Sequence, residues 1–321
     1  MVKLRTSTVA PDKAKLTEDN LPDQTGKVFI VTGASSGVGK ELARILYQRN
    51  AKVWLAARSE SRTMEAINDI KSSHPSSRGQ LSFLSLQLDD LSTIKASAEE
   101  FLSKESRLDV LWNNAGVMHP PEGSTTVQGY ELQLGTNVLG HFLFVRFLTP
   151  ILRQTAETAP RHTVRVVWVS SMAADFAPCP AIDFNNMDYH KDESISQKYG
   201  RSKAGNLIHA AEFARLQQNA GIVSTCVLTG AVTQSLNPGL LQTNLQRNFS
   251  ATQAAFVKMA GSPAKFGAYT ELFAGLDSSI TPEDLWVTPF GRKAEPRKDL
   301  VDPELGRKYW EWSEAQVRPF L

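Results

Sequence analysis

From residue 27 onward the chain alternates short apolar runs with amphipathic segments, which restricts it to a parallel sheet wrapped by helices. Residues 27–32 read Lys-Val-Phe-Ile-Val-Thr, a short apolar run closed by glycines, as expected of a strand buried on both faces. Gly37–Gln48 follows, with Val38, Leu42, Ile45 and Leu46 at helical spacing. The same alternation predicts strands over Lys52–Ala57, 81–86, 108–112 and 164–169. It predicts helices over 63–73, Leu91–Lys104, 127–152 and 197–217. No repeat, low-complexity stretch or linker interrupts the pattern, so residues 24–321 are expected to form one doubly wound α/β domain. Residues 1–23 read as an N-terminal arm, and the Pro/Lys/Arg-rich stretch over about 288–321 as a peripheral extension.

Composition narrows the partners. A chain of 321 residues, 41% hydrophobic, buries a sizeable core without metals or disulfides. A net charge of +2 without a basic run gives no electrostatic support for nucleic-acid binding. The longest oily stretch, 139–152, contains His141, Arg146 and Pro150 and falls short of a membrane span. The first residues lack the apolar core of a secretory leader, and the two cysteines, Cys179 and Cys226, read as reduced thiols. A cytoplasmic location is therefore expected. His119, His141 and His209 show no metal-ligand spacing, so no metal is expected and all three read as bland.

Directly after the first strand stands Thr32-Gly33-Ala34-Ser35-Ser36-Gly37-Val38-Gly39. Glycines at a strand-to-helix junction let main-chain N–H groups approach a pyrophosphate, which the helix N-terminus also attracts. An ordinary turn is glycine-rich too, but this one has the strand before it and the helix after it that a dinucleotide site requires. An NAD site places an acid about 20 residues further on, for the ribose hydroxyls. Here that position reads Ala56-Ala57-Arg58-Ser59, with no carboxylate and with a guanidinium suited to a 2′-phosphate. NADP(H) is the expected cofactor, with Ser35, Ser36, Lys40 and Arg62 as further contacts.

A phenol and an ammonium sit four residues apart in Tyr199-Gly200-Arg201-Ser202-Lys203, on one face of the predicted helix. A free tyrosine titrates near 10, and a neighbouring lysine cation favours its phenolate. The pair alone is a weak signal, but it has company. Asn113-Asn114-Ala115-Gly116 follows the fourth strand, Asn137 lies in the long helix, and Ser170-Ser171 ends the fifth strand. In a doubly wound sheet, groups just beyond strand C-termini line the ligand crevice.

In this order the motifs resemble those of the short-chain dehydrogenase/reductase family over about residues 27–239. The segment from Asn137 to Phe142, the stretch between Ser171 and Tyr199, and Trp286-Val287-Thr288-Pro289-Phe290-Gly291-Arg292 most resemble its retinol-dehydrogenase-like group and fungal relatives. The resemblance implies a single Rossmann domain with a mainly parallel seven-stranded sheet. Tyr199 would be the general acid or base, Lys203 would hold the nicotinamide ribose and lower the tyrosine pKa, and Ser171 would polarise the substrate carbonyl. Asn137 would support a water that relays protons to Lys203. The resemblance further assigns the dinucleotide to Gly33, Gly37, Val38, Gly39, Asp89, Asn114, Ala115 and Gly116, together with Pro238, Gly239, Leu241 and Thr243. Asp89 reads equally well as the cap of the following helix, Asn137 as a helix residue satisfied by main chain, and Ser170 as structural. Relatives dimerise through the helices bearing Asn137 and Tyr199 in some cases and stay monomeric in others, so a homodimer and a monomer both remain open.

The chain departs from the family pattern at the sixth strand. From Gly221 to Gly239 it is roughly ten residues longer than one strand of about 5–6 residues needs. The surplus near 225–234 reads either as an insertion beside the nicotinamide or as retained noncoding sequence. Val117, Met118, Phe176, Leu240, Leu241, Phe249, Phe256 and Met259 are expected to line an apolar pocket, with a substrate lid over about 244–261. The expected reaction interconverts a lipophilic ketone or aldehyde and its alcohol. A second reading is an NADP-binding sensor or partner protein without turnover, its site perturbed by the surplus.

Overall fold

One sheet carries the chain, made of β1 (Val28–Thr32), β2 (Lys52–Ala57), β3 (Gln80–Ser85), β4 (Val110–Asn113), β5 (Arg165–Ser170), β6 (Val223–Leu228), β7 (Trp286–Thr288) and β8 (Arg292–Ala294). The computed structural model describes residues 13–228, 231–232, 238–239, 241–242 and 262–321. Strand order is β8-β7-β6-β5-β4-β1-β2-β3, parallel throughout except β8, which runs antiparallel to β7. The sheet thus has eight strands, not the expected seven. Pro289, Phe290 and Gly291 turn the chain back, and the returning edge strand is too short for periodicity to reveal it.

Helices α1 (Gly37–Gln48), α2 (Glu60–Ser73) and α6 (Ala264–Leu276) cover one face. The other face carries α3 (Leu91–Lys104), α4, α5 (Ile195–Gln217) and α7 (Pro303–Val317). Here α4 joins Leu132–Leu134, a π-helical stretch Gly135–Gly140 and His141–Thr158 into one run. It starts later than the expected residue 127 because the Glu131 side chain caps it, accepting the Leu134 N–H at 2.7 Å. It also continues through Pro150. Leu42, Ile45 and Leu46 of α1 pack with Phe29 and Val31 of β1, and each such buried side chain contributes about 1.5–3 kcal/mol.

The stretch beyond Thr288 is not peripheral. Tyr309, Ser313 and Val317 of α7 are buried, and the Tyr309 ring stacks on His209 of α5 at 4.8 Å. Trp310 lies on Phe142 of α4 and Phe213 of α5, and Arg146 of α4 pairs with Glu314. The end of the N-terminal arm is also packed: Leu16 and Leu21 are buried, and Glu18 receives Lys265 and the Tyr269 hydroxyl of α6. At the long sixth-strand segment, Val223–Leu228 takes the sheet position between β5 and β7. Beyond it, Ala231–Val232 pairs antiparallel with Pro238–Gly239, and Leu241–Gln242 pairs parallel with Ser262–Pro263.

Two wholly buried histidines contribute stability that is lost on acidification. Burial holds the His209 imidazole down at about 3 and is the main cause that holds His141 at about 4. Below pH 6.5 these histidines take up protons in the unfolded chain that they refuse in the folded one, so the stability they contribute falls as pH drops from 6.5 towards these values. Each histidine should cost roughly 1 kcal/mol per pH unit across that window. Urea unfolding at pH 7, 6 and 5 tests this: His209→Phe should flatten the slope, and an unchanged slope would show that another group controls it.

Candidate active site

The order of the strands reverses between β1 and β4, which opens a crevice at their C-terminal ends. Gly33 begins the turn there with φ of 70°, a left-handed conformation that a side chain strains. A Cβ on Gly39 would lie 2.5 Å from Asn114 Nδ2, so the helix start can approach this closely only without one. Ser36 caps α1 in extended conformation without a side-chain bond to the helix, and no acid stands in its first turn. The first N–H groups of α1 are thus left to an external anion, which fits a dinucleotide pyrophosphate. Asn114 Nδ2 donates to Thr32 O at 2.7 Å and Ala115 N to Thr32 Oγ1 at 2.9 Å, tying the ends of β1 and β4 together. Ser35, Gly37 and Val38 lie in the same turn, half-buried.

At the outer end of the crevice, Arg58 follows β2 and its Nη1 pairs with Asp89 Oδ2 at 3.2 Å. The cap of α3 is Asp90, accepting the Ser92 N–H, so the capping alternative for Asp89 fails. Ser59, the residue after Arg58, caps α2 by accepting from Arg62 N, which places the Arg62 side chain on an exposed first turn. Lys40 Nζ is held by Asp69 at 2.8 Å, a contact that competes with any phosphate.

The catalytic candidates meet beyond β5. Tyr199 and Lys203 are both buried on α5, with Lys203 Nζ 5.8 Å from the centre of the tyrosine ring. Lys203 Nζ donates to Val169 O at 2.9 Å, and burial lowers its pKa to about 8. The Ser171 hydroxyl bonds the Tyr199 phenol, while its oxygen also accepts from Ala173 N at 3.2 Å. Burial raises the Tyr199 pKa to about 12, outweighing the Ser171 bond. The lowering expected from Lys203 does not appear: the dominant effect is loss of hydration, which favours the neutral phenol. Ser170 Oγ donates to Lys203 O at 2.7 Å, a structural tie. The Asn137 side chain is fully engaged, accepting from Val117 N at 2.8 Å and donating to Val117 O and Ser202 Oγ. Any relay through Asn137 therefore rests on its main-chain carbonyl. The site can donate a proton and a hydrogen bond to one oxygen placed before Tyr199 and Ser171.

Residues 27–254 match the family model described as short chain dehydrogenase. The chain is 55% identical over 310 residues to a short-chain dehydrogenase/reductase of Emericella nidulans, covering 95% of this chain and 97% of that protein. The chain belongs to the short-chain dehydrogenase/reductase family. A short-chain dehydrogenase/reductase of Phomopsis amygdali is 46% identical over 98% of this chain and 96% of its own. Among solved structures, an uncharacterised protein of Mycobacterium paratuberculosis superposes with a TM-score of 0.71 at 28% identity, covering 94% and 97% of the two chains. This short-chain dehydrogenase/reductase is accordingly an oxidoreductase of a family that works with nicotinamide dinucleotides.

Some expected positions escape description. Leu240, Thr243, Phe249, Phe256, Met259 and the expected lid over 244–261 lie outside the described residues, while Pro238, Gly239 and Leu241 fall in the short strand pairs. Among the described residues no group of histidine, cysteine, aspartate and glutamate is arranged to hold a metal, and no helix is long and apolar enough to cross a membrane. Three polar residues of this short-chain dehydrogenase/reductase had no role in the sequence reading, His119 and His141 being read as bland and Gln133 not singled out. The His119 ring stands edge-on to Tyr199 at 6.0 Å, Gln133 receives His119 N, and His141 bridges Thr32 and Asn137. Only His141 had a readable signal, being four residues after Asn137 on the same helix face.

Proposed function

We propose that the chain reduces lipophilic ketones or aldehydes with NADPH, Tyr199 serving as general acid. The observation that carries the reading is the convergence of the Tyr199 phenol, the Ser171 hydroxyl and the Lys203 ammonium in one buried place. Gly33, Ser35, Ser36, Gly37, Val38 and Gly39 would hold the pyrophosphate, and Asn114, Ala115 and Gly116 the floor beneath it. Lys203 would hold the nicotinamide ribose. When bound, the reduced dinucleotide supplies a hydride to the carbonyl carbon. Ser171 donates a hydrogen bond to the carbonyl oxygen, and Tyr199 gives that oxygen its proton. The raised tyrosine pKa keeps that proton on the phenol until substrate arrives, which suits reduction. Lys203, its pKa lowered to about 8 by burial, would return a proton to Tyr199 through a water held by the Asn137 carbonyl.

NADP(H) is favoured over NAD(H) by Arg58, which follows a β2 end without a carboxylate, although Asp89 must share the guanidinium. Val117, Met118 and the exposed Phe176 give an apolar approach that favours a lipophilic substrate, as in the retinol-dehydrogenase-like group. Helix α7 covers the outer faces of α4 and α5, which favours the monomer. The free thiols Cys179 and Cys226 accord with a cytosolic location. The test is oxidation of NADPH and NADH in parallel against a panel of lipophilic carbonyls. Turnover preferring NADPH is expected, with Arg58→Asp reversing the preference by about tenfold or more. Tight NADPH binding without turnover of any carbonyl would overturn the enzyme reading, and an unchanged preference in the variant would remove Arg58 from the phosphate.

A further inference from the structure

The π-helical stretch Gly135–Gly140 interrupts the regular ladder where Asn137 sits. The His141 main-chain N–H is bonded to Val138 O, not to Asn137 O, its partner in a regular α-helix. The Asn137 carbonyl is met instead by the His141 ring, whose Nδ1 lies 3.1 Å away. A carbonyl only accepts, so Nδ1 carries the hydrogen. The other nitrogen, Nε2, is then an acceptor, and it lies 3.0 Å from Thr32 Oγ1. Thr32 in turn accepts from Ala115 N at 2.9 Å. Its own hydrogen is contested by Trp112 O at 3.2 Å, and donation to His141 is the arrangement that satisfies the imidazole. His141 is wholly buried, and nearby Lys203 adds its charge to the burial that keeps the ring neutral.

These bonds make His141 a joint between two halves of the site. On one side are Thr32 and Ala115, at the ends of β1 and β4 where the dinucleotide turn begins. On the other is Asn137, whose side chain clamps Val117 and reaches Ser202, itself bonded to Tyr199 O at 2.8 Å. Resting on the reaction proposed above, we propose that His141 is a positioning residue for proton transfer. In its Nδ1–H tautomer it aims the Asn137 carbonyl and locks the helix carrying it to the strand that bears the dinucleotide turn.

Three variants and one measurement on the native chain test this. His141→Phe keeps a ring but no polar atom, His141→Gln supplies an N–H and a carbonyl within reach of both partners, and His141→Asn is too short to span them. In carbonyl reduction, His141→Phe and His141→Asn should lose about tenfold or more in kcat, with dinucleotide Kd within about threefold of native. Their solvent deuterium isotope effect on kcat should rise, because proton transfer becomes slower. His141→Gln should recover at least about a third of native kcat. A kcat within about twofold of native in His141→Phe, or equal losses in the Phe and Gln variants, would overturn the proposal. The tautomer of native His141, read from its imidazole carbon and nitrogen shifts by NMR, needs neither turnover nor a folded variant. An Nδ1–H ring supports the proposal, and an Nε2–H ring or an imidazolium at pH 7 overturns it. A native chain without reductase activity defeats the reading of the previous subsection alone, leaving the tautomer to decide this one.

Discussion

Tyr199→Phe should lower kcat for carbonyl reduction by about 10²- to 10⁴-fold, the usual contribution of one positioned acid. Dinucleotide affinity should stay within about threefold of native, because the ring and its neighbour Lys203 remain. The variant separates proton supply from binding: Ser171 still offers its hydrogen bond, but nothing at the tyrosine position has a proton to give. Removing the phenol also leaves the Ser171 hydroxyl without that partner, a stability change of about 1 kcal/mol that the melting temperature will register. Stopped-flow reduction with a saturating carbonyl is the deciding measurement. A variant that keeps a tenth or more of native kcat would take the general-acid role away from Tyr199.

Gly33→Ala should damage both folding and dinucleotide binding. The position has φ of 70°, and the added carbon would lie 2.8 Å from the main-chain Cα of Ala115 and 3.2 Å from Asn114 Nδ2. Main chain cannot swing aside as a side-chain tip does, so the ends of β1 and β4 must separate. Left-handed strain and overpacking together should cost about 2–5 kcal/mol. Because those strand ends frame the turn that faces the pyrophosphate, dinucleotide Kd should rise at least about tenfold as well. Calorimetry of the variant with and without NADPH reads both effects. Unchanged melting and unchanged affinity together would mean that the turn does not have the geometry described.

The strands at the centre of the sheet were legible because burial on both faces makes a parallel strand continuously apolar. Lys52–Ala57 and Leu91–Lys104 have the bounds expected of them, β1 starts one residue later than expected, and β5 is shifted by one residue at both ends. What escaped was set by tertiary context. Strand β8 is three residues long and polar, and only its register against Trp286, Val287 and Thr288 makes it a strand. Helix α7 carries Tyr309, Trp310 and Trp312 among charged residues, so its composition suggested a solvated tail until His209 and Phe213 supplied the other half of the cluster. The candidate site was legible as a set of residues, since Asn114 and Ser171 stand just beyond strand ends and Asn137, Tyr199 and Lys203 lie on the helices that follow those strands. Their energetics were not. Whether a lysine lowers the pKa of its neighbouring phenol depends on how much water each has lost, and sequence spacing carries no record of that. His141 was read as bland for a related reason: its value lies in Thr32, more than a hundred residues away in the chain.

Helix α7 also sets the order in which the molecule can be made. A growing chain that has emerged as far as α6 already holds β1 to β6 and the whole glycine turn, so that half can begin to assemble during translation. At that stage α5 has no wall behind it: His209, Phe213 and the neighbouring Phe142 of α4 face water instead of Tyr309 and Trp310. The helix that bears Tyr199 and Lys203 is closed only after residues 303–317 have left the ribosome. The nucleotide half can therefore form early, while the proton-transfer half waits for α7 to be made.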